Sequence, residues 1–239
     1  YLNVGGGLEI TAFNEVAPPP TLTAVDLNPL LKPMTSTTYE IGAKGLFQKS
    51  GTGLFRSFSY SLAAYSIDIR NEIVPWDGGA WFLSAGRSRR YGAEGGMNID
   101  VEGGFSIRTA FTYLDARYKH YSNELGDFSK NVVPGIPSVF WSSRIRYHHE
   151  TGGYLELQLE HLGGYFADDA NVLSVPSSTV VDGSIGFRFS LSQVSFHTFL
   201  GIDNITNRQF AASAFINPSG SPPNASFLEP GLPRNFFGG

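Results

Sequence analysis

The stretch that decides the fold runs Val139-Phe140-Trp141-Ser142-Ser143-Arg144-Ile145-Arg146-Tyr147-His148, then Glu150-Thr151-Gly152-Gly153, then Tyr154-Leu155-Glu156-Leu157-Gln158-Leu159-Glu160. In the last segment Leu155, Leu157 and Leu159 alternate with Tyr154, Glu156, Gln158 and Glu160. In the first, Val139, Trp141, Ile145 and Tyr147 share one parity, and Ser142, Arg144, Arg146 and His148 share the other. A period of two is the signature of a strand with unlike faces. The Thr-Gly-Gly between them is turn chemistry. The pattern therefore predicts an antiparallel hairpin. Pairing His148 with Tyr154 places Arg146 opposite Glu156 and Arg144 opposite Gln158. A turn two residues tighter would set Arg146 against Gln158, with Glu156 as its diagonal neighbour.

The same alternation recurs outward from this hairpin. It covers Tyr39 to Phe47, Leu54 to Leu62, Ala93 to Val101, Phe105 to Tyr113, Val181 to Phe189 and Val194 to Ile202. With Leu2 to Ile10, Ala80 to Gly86 and a stub at Phe236, about eleven strands are expected and no helix is placed. The connections alternate in length. Short turns are read at 49–53, 102–104, 150–153 and 191–193; long loops are read at 11–37, 70–79, 120–137, 167–177 and 205–234. Short turns on one side and long loops on the other are the layout of an outer-membrane barrel.

Composition narrows the function classes. The 239 residues carry a net charge of −4, which argues against a nucleic-acid surface. The chain has no cysteine, so there is neither a disulfide framework nor a thiolate metal site. Its 28 glycines and 14% aromatic content, against only 16% charged residues, suit turn-rich β structure. No apolar run approaches the ~18–20 residues of a membrane helix, a fact with no bearing on barrels, whose strands alternate.

Alternation alone does not separate a membrane barrel from a soluble β-sandwich. Three features favour the barrel. The strands look longer than the globular norm of ~5–6 residues, and crossing the hydrocarbon takes ~9–11. Aromatic residues such as Tyr39, Phe47, Tyr65, Tyr91, Tyr113, Tyr147 and Tyr154 gather near strand ends, as interfacial girdles do. The polar face carries many full charges, which fit a wet lumen.

Local motifs carry a family resemblance. Asn28-Pro29-Leu30-Leu31-Lys32-Pro33-Met34-Thr35-Ser36 followed by Tyr39-Glu40-Ile41-Gly42 resembles the NP-x-LKP-x-T-S…YE-x-G segment of TonB-dependent receptors. Gly7 to Glu15 resembles the segment before it, with Thr11-Ala12 where Pro-Thr is usual. Further resemblances follow in the family's order. They are Gly86-Arg87-Ser88-Arg89-Arg90-Tyr91-Gly92-Ala93-Glu94, Thr112 to Tyr118, Val133-Pro134-Gly135-Ile136-Pro137, Val180-Val181-Asp182, Asp203 to Phe210, and Pro230-Gly231-Leu232-Pro233-Arg234. They are closer to the siderophore-receptor branch than to the glycan-uptake branch.

The resemblance implies an all-β fold: an antiparallel transmembrane β-barrel segment, about eleven strands of a barrel of about 22. Residues 1–239 would be the C-terminal part of that barrel, with the plug domain absent and both ends inside longer sequence. It implies an active-transport receptor in the bacterial outer membrane, taking up a scarce nutrient such as a ferric siderophore. Its implied partners are outer-membrane lipid, the N-terminal barrel half and plug, and a TonB-type energy-coupling protein acting through the plug. A passive porin-type channel and a soluble β-sandwich or adhesin are the alternatives. No enzyme, nucleic-acid partner, cofactor or metal is expected.

Extracellular aromatics and basic residues often contact chelates in such receptors, which makes Trp76, Trp81, Arg89, Tyr118, His120, Tyr121, Phe166 and Phe215 the candidate ligand-binding residues. Each has a plainer reading, as girdle, loop packing or a solvated charge. His148-His149 is a poor metal pair, because adjacent strand residues point to opposite faces. Glu156 and Glu160 read as salt-bridging residues on one strand face rather than an acid–base pair. The sequons at Asn204 and Asn224 read as chance.

Three structural expectations follow. The sheet should be open, with its first and last strands unpaired to each other. Leu155, Leu157, Leu159, Phe105, Ile107, Phe187 and Phe196 should share an uncovered apolar face. Glu94, Asp100, Arg108, Arg144, Arg146, Glu156 and Asp182 should share the other.

Overall fold

The structure, a computed structural model, describes residues 1–12, 15–16, 31–49, 55–123, 125–219 and 227–239. Ten strands form one antiparallel sheet: β1 (Leu2–Glu9), β2 (Met34–Gln48), β3 (Phe55–Trp76), β4 (Trp81–Val101), β5 (Phe105–His120), β6 (Val139–His148), β7 (Gly153–Leu162), β8 (Ser178–Leu191), β9 (Val194–Asp203) and β10 (Asn235–Gly238). Each strand pairs with its neighbours in sequence order, and β1 and β10 form the two edges. The sheet is open, as expected.

There are ten strands rather than eleven because Ala80–Gly86 and Ala93–Val101 belong to the single strand β4. No turn residue interrupts Arg87 to Tyr91, and β3 runs alongside without a break. The long loop expected at 70–79 is likewise strand as far as Trp76, closed by a short 3-10 turn at Asp77–Gly79. Asn71 hid this continuity. Its backbone is left-handed (φ 54°), and the strict alternation of the sequence breaks there. Before Asn71 the inner residues of β3 include Ile69; after it they include Glu72 and Val74. Opposite Asn71 stands Gly86, where a side chain would strike the carbonyl oxygen of His120.

Short turns cluster at one end of the sheet. Gly103, Gly104 and Gly152 adopt positive φ there, as does Ser192. The turn read at 49–53 falls, from residue 50 on, outside the described residues. So do Asn28-Pro29-Leu30 of the first motif, much of the 11–37 loop and the Asn224 sequon. Long connections gather at the other end and carry three two-stranded ribbons: Ser122–Asn123 with Gly126–Asp127, Tyr165–Phe166 with Ser174–Val175, and Ala211–Ala214 with Leu228–Pro230. Among the described residues that short turn is the one helical element.

The central hairpin has the expected register: His148 opposite Tyr154, Arg146 opposite Glu156 and Arg144 opposite Gln158. Arg146 Nη2 lies 2.6 Å from Glu156 Oε2, and Arg144 Nη2 donates to Gln158 Oε1 at 2.8 Å. Register carries the two faces across the sheet. Ser106 and Arg108 stand opposite Arg146 and Arg144, while Phe105 and Ile107 stand opposite Tyr147 and Ile145. On β8, Asp182 and Ser184 continue the charged face and Ile185 and Phe187 the apolar one. The leucine face is uncovered: Leu155 and Leu157 are 47% and 44% exposed. A soluble sandwich would cover the leucines with a second sheet. Here the apolar residues share one uncovered face and the charges share the other, the arrangement a membrane barrel requires.

Aromatic rings on the inner side lie over glycines of the next strand. Tyr65 lies across Gly92, where a methyl group would collide with the ring. This packing is why a glycine stands at that place in the Gly86–Glu94 motif.

Two substitutions on β7 of the intact protein separate the faces. Leu157→Arg should cost about 2–4 kcal/mol if it lies near the bilayer midplane. Glu156→Gln should cost only ~0–1 kcal/mol, because its ion pair is exposed at the arginine. Urea unfolding in lipid vesicles, followed by heat-modifiable electrophoretic mobility, measures both. Equal costs would contradict the assignment of faces.

Candidate functional site

At the long-loop end, four connections fold against the inner face and against one another. The β3–β4 hairpin extends well past the ~9–11 residues a membrane crossing needs, so its tip stands clear of the sheet body. Val74, Ala85, Ala116, Tyr118, Tyr121, Phe128 and Val133 form an apolar cluster between this tip and the β5–β6 loop. The β7–β8 and β9–β10 loops add a second one, from Ala167, Leu173 and Val175 with Ala214 and Ile216 packed against them.

One carboxylate joins these parts. Asp169, in the β7–β8 loop, is 2% exposed. Its Oδ1 accepts from the Tyr118 hydroxyl at 2.8 Å, and its Oδ2 from the Tyr121 hydroxyl and from Asn217 Nδ2, both at 3.1 Å. Its main chain is held as well: the amide donates to Asn217 Oδ1 at 2.9 Å and the carbonyl accepts from Asn131 Nδ2 at 2.8 Å. Asn217 also donates to the Pro75 carbonyl at 2.9 Å and accepts from the Gly78 amide at 3.0 Å. Asn171 brackets Val132, bonding both its amide and its carbonyl. The network thus ties the β3–β4 tip and the β5–β6, β7–β8 and β9–β10 loops into one body.

Burial raises the carboxyl pKa of Asp169, and the hydrogen bonds from Tyr118, Tyr121 and Asn217 oppose that rise. Burial and the Asp169 charge push the Tyr121 hydroxyl up in turn. Nearer the sheet, Glu72 pairs with Arg90 on the inner wall. Glu72 Oε2, Ser88 Oγ and Arg90 Nε there are buried without a protein partner.

The eight candidate residues fall into different settings. Trp76 and Trp81 face each other across the short turn, with ring centroids 5.6 Å apart. Trp76 borders a cleft of about 450 Å³, shared with Asp77, Phe128, Asp168, Val172 and Asn217. Phe215 is exposed and lies against Gly78 at the same tip. Phe166 is half-buried in its ribbon, where its carbonyl accepts from the Gly135 amide. Tyr118 and Tyr121 are sealed inside the cluster, 1% and 4% exposed, and their hydroxyls are committed to Asp169. His120 is exposed at the end of β5. Arg89 points to the outward face, where it shares Asp68 with Arg87. The structure therefore gathers Trp76, Trp81 and Phe215 at one tip, seats Tyr118 and Tyr121 beneath it, and places Arg89 elsewhere.

Sequence reasoning missed Asp169, Asn217, Asn171 and Asp168. Their only signal was Asx turn chemistry inside long loops, which does not say which of them is buried.

Two outcomes test this arrangement. Tyr118→Phe leaves a buried carboxylate oxygen short of a donor, at a cost of about 1–3 kcal/mol. Hydrogen exchange should speed up together at Val132 and Leu173, in two different loops. The second outcome concerns pH. A carboxyl whose folded pKa exceeds its unfolded value is favoured protonated, so its stabilising effect is present in acid and fades as pH rises through the folded pKa. Acidifying from neutral towards pH 4 should raise the protection factors of the same amides, that is, their exchange relative to the intrinsic rate at each pH.

Comparison with known proteins sets these features in context. The family model described as "TonB dependent receptor-like, beta-barrel" matches residues 1–205. A ferrioxamine receptor of Yersinia enterocolitica is 26% identical over 190 residues, covering 78% of this chain and 25% of its own length. A ferrioxamine B receptor of Salmonella typhimurium is 24% identical over 196 residues, covering 81% and 27%. Among solved structures, the ferric yersiniabactin uptake receptor of Yersinia pestis superposes with a TM-score of 0.72 at 16% identity, over 99% of this chain and 33% of its own. The chain thus spans about a quarter of the length of these curated relatives.

Proposed function

We infer the function of this chain from the premise that it belongs to the TonB-dependent receptor β-barrel family, whose members lie in the outer membrane of Gram-negative bacteria. Residues 1–239 are the C-terminal part of the barrel wall of an active-transport receptor for a ferric siderophore, of the ferrioxamine kind that the two curated relatives are named for. The remaining wall and the plug lie elsewhere in the intact receptor, and a TonB-type protein energises transport through the plug. The observation that carries this reading is the combination of an uncovered apolar outer face with a charged inner wall, roofed at the long-loop end by a bonded loop body.

The loop body suits capture of a bulky ligand. Trp76, Trp81 and Phe215 present rings at an exposed tip, and the cleft beside Trp76 is lined by apolar and carboxylate side chains. Tyr118 and Tyr121 support that surface from beneath. A rigid support matters because each loose side chain that must be ordered on binding costs affinity.

Cells carrying the intact receptor should accumulate radioiron from ferric ferrioxamine B only while the membrane is energised. Uptake that persists after collapse of the proton-motive force would favour a passive channel and defeat this reading. Trp76→Ala should raise the half-saturating concentration by about tenfold, as loss of a buried aromatic anchor does. An unchanged value would remove Trp76 from the ligand site.

A further inference from the structure

Trp76 stands at the entry to a turn that does not hold itself. Asp77, Gly78 and Gly79 follow it with three consecutive left-handed backbones, at φ 51°, 68° and 96°. Glycine adopts positive φ as readily as negative, so a turn built on two of them keeps one shape only where other groups hold it. The bond closing the turn is long: the Ala80 amide donates to the Asp77 carbonyl at 3.3 Å. The shape of this turn decides where the Trp76 ring lies beside its cleft.

A splint for the turn comes from the β9–β10 connection. Phe215 lies against Gly78, and the Ser219 hydroxyl donates to the Asp77 carboxylate. Between them, Asn217 Nδ2 donates to the Pro75 carbonyl at 2.9 Å, and the Asn217 carbonyl accepts from the Gly78 amide at 3.0 Å. These two bonds bracket Trp76 and Asp77. Asn217 is itself fixed from behind. Its Oδ1 accepts from the Asp169 amide at 2.9 Å, its Nδ2 also donates to Asp169 Oδ2 at 3.1 Å, and its amide donates to the Ala167 carbonyl at 2.8 Å. Its backbone is left-handed (φ 48°), a conformation asparagine adopts more easily than most residues. One side chain therefore grips the loop body on one side and the tip on the other.

We propose that Asn217 is a positioning residue for ligand capture: by pinning Pro75 and Gly78 it holds the Trp76 ring beside the cleft, and so sets affinity without acting in translocation. This rests on the reading of Trp76 as a ligand contact. The same connection offers a matched control. Asn207 is also left-handed (φ 51°) and also bonds through its side chain, accepting from the Arg234 amide at 3.0 Å, but it makes no bond to the tip.

The test uses the intact receptor, with heat-modifiable mobility to show that each variant's barrel is folded. Asn217→Gly keeps a left-handed backbone accessible and removes the side chain. It should raise the half-saturating concentration of ferric ferrioxamine B roughly fivefold and leave the maximal energised rate unchanged. Combined with Trp76→Ala it should add nothing to the effect of Trp76→Ala alone, because a pin has no effect on a ring that is gone. Asn207→Gly should leave half-saturation unchanged. Without ligand, hydrogen exchange at the Gly78 amide should speed up in Asn217→Gly and not in Asn207→Gly. Asn217→Asp keeps the acceptor for the Asp169 amide but loses the donor to Pro75, and should move both readouts in the same direction. Additive effects of Asn217→Gly and Trp76→Ala would overturn the inference, as would a fall in maximal rate alone or unchanged exchange at Gly78. If Trp76→Ala itself leaves half-saturation unchanged while exchange at Gly78 still responds to Asn217→Gly, the ligand role of Trp76 falls and the capture role of Asn217 with it, a distinct result.

Discussion

Hydrocarbon offers no partner for a peptide N–H or C=O, so a chain that crosses it in strands must pair every strand on both sides. That requirement organises the molecule. It explains the unbroken ladder from β1 to β10 in sequence order, with no crossover among the described strands. The two edge strands, β1 and β10, each have a neighbour in this sheet on one side. Once the backbone is saturated, side chains decide the rest. Those on one parity meet lipid and those on the other meet the lumen, which is why Leu155 and Leu157 share one face and Glu156 and Gln158 the other.

The constraint lapses where the strands leave the membrane, and the structure changes its rules there. Beyond Arg70 the alternation inverts at Asn71, so Glu72 and Val74 turn inward although they continue the parity of the outward Asp68 and Arg70. The switch lets a long hairpin lean over the inner side and bury an apolar face against the β5–β6 loop. Loops that would be solvent-facing in isolation then become a body with its own small core. Asp169 is the polar centre of that core. A buried carboxylate is costly unless its oxygens are bonded, and here both are. The same bonds that offset its burial fix the relative positions of loops distant in sequence.

The two faces have separate electrostatic tasks. On the inner wall Arg144 and Arg146 share Glu156, an exposed arrangement that sets a charge pattern more than it stabilises the fold. On the outer wall Asp68 binds Arg87 and Arg89 beside the exposed Tyr91. Arg89 read from sequence as a ligand contact. It shares its parity with Tyr91 and Ala93 and faces outward, and adjacent Arg90 goes inward to Glu72.

Alternation by itself determined the strand class and which residues share a face, because a period of two leaves a strand no freedom over that; it left two registers open for the central hairpin, and the structure selects the one that sets Arg146 against Glu156. Motif order determined the family, through residues such as Lys32-Pro33 and Gly92 whose roles became visible only later: the Lys32 amide bonds Ser84, and Gly92 makes room for Tyr65. The strand count slipped by one where Asn71 and Gly86 broke the pattern, since a left-handed residue inverts the parity on which the reading depends. The loop body was decided by tertiary structure alone. Tyr118 ends β5, Tyr121 lies just past it, and Asp169 and Asn217 come from two later connections; no local pattern says that the two tyrosines will be buried on a carboxylate some fifty residues away. Periodicity reports the environment along one strand, whereas burial in a loop depends on which other loops arrive.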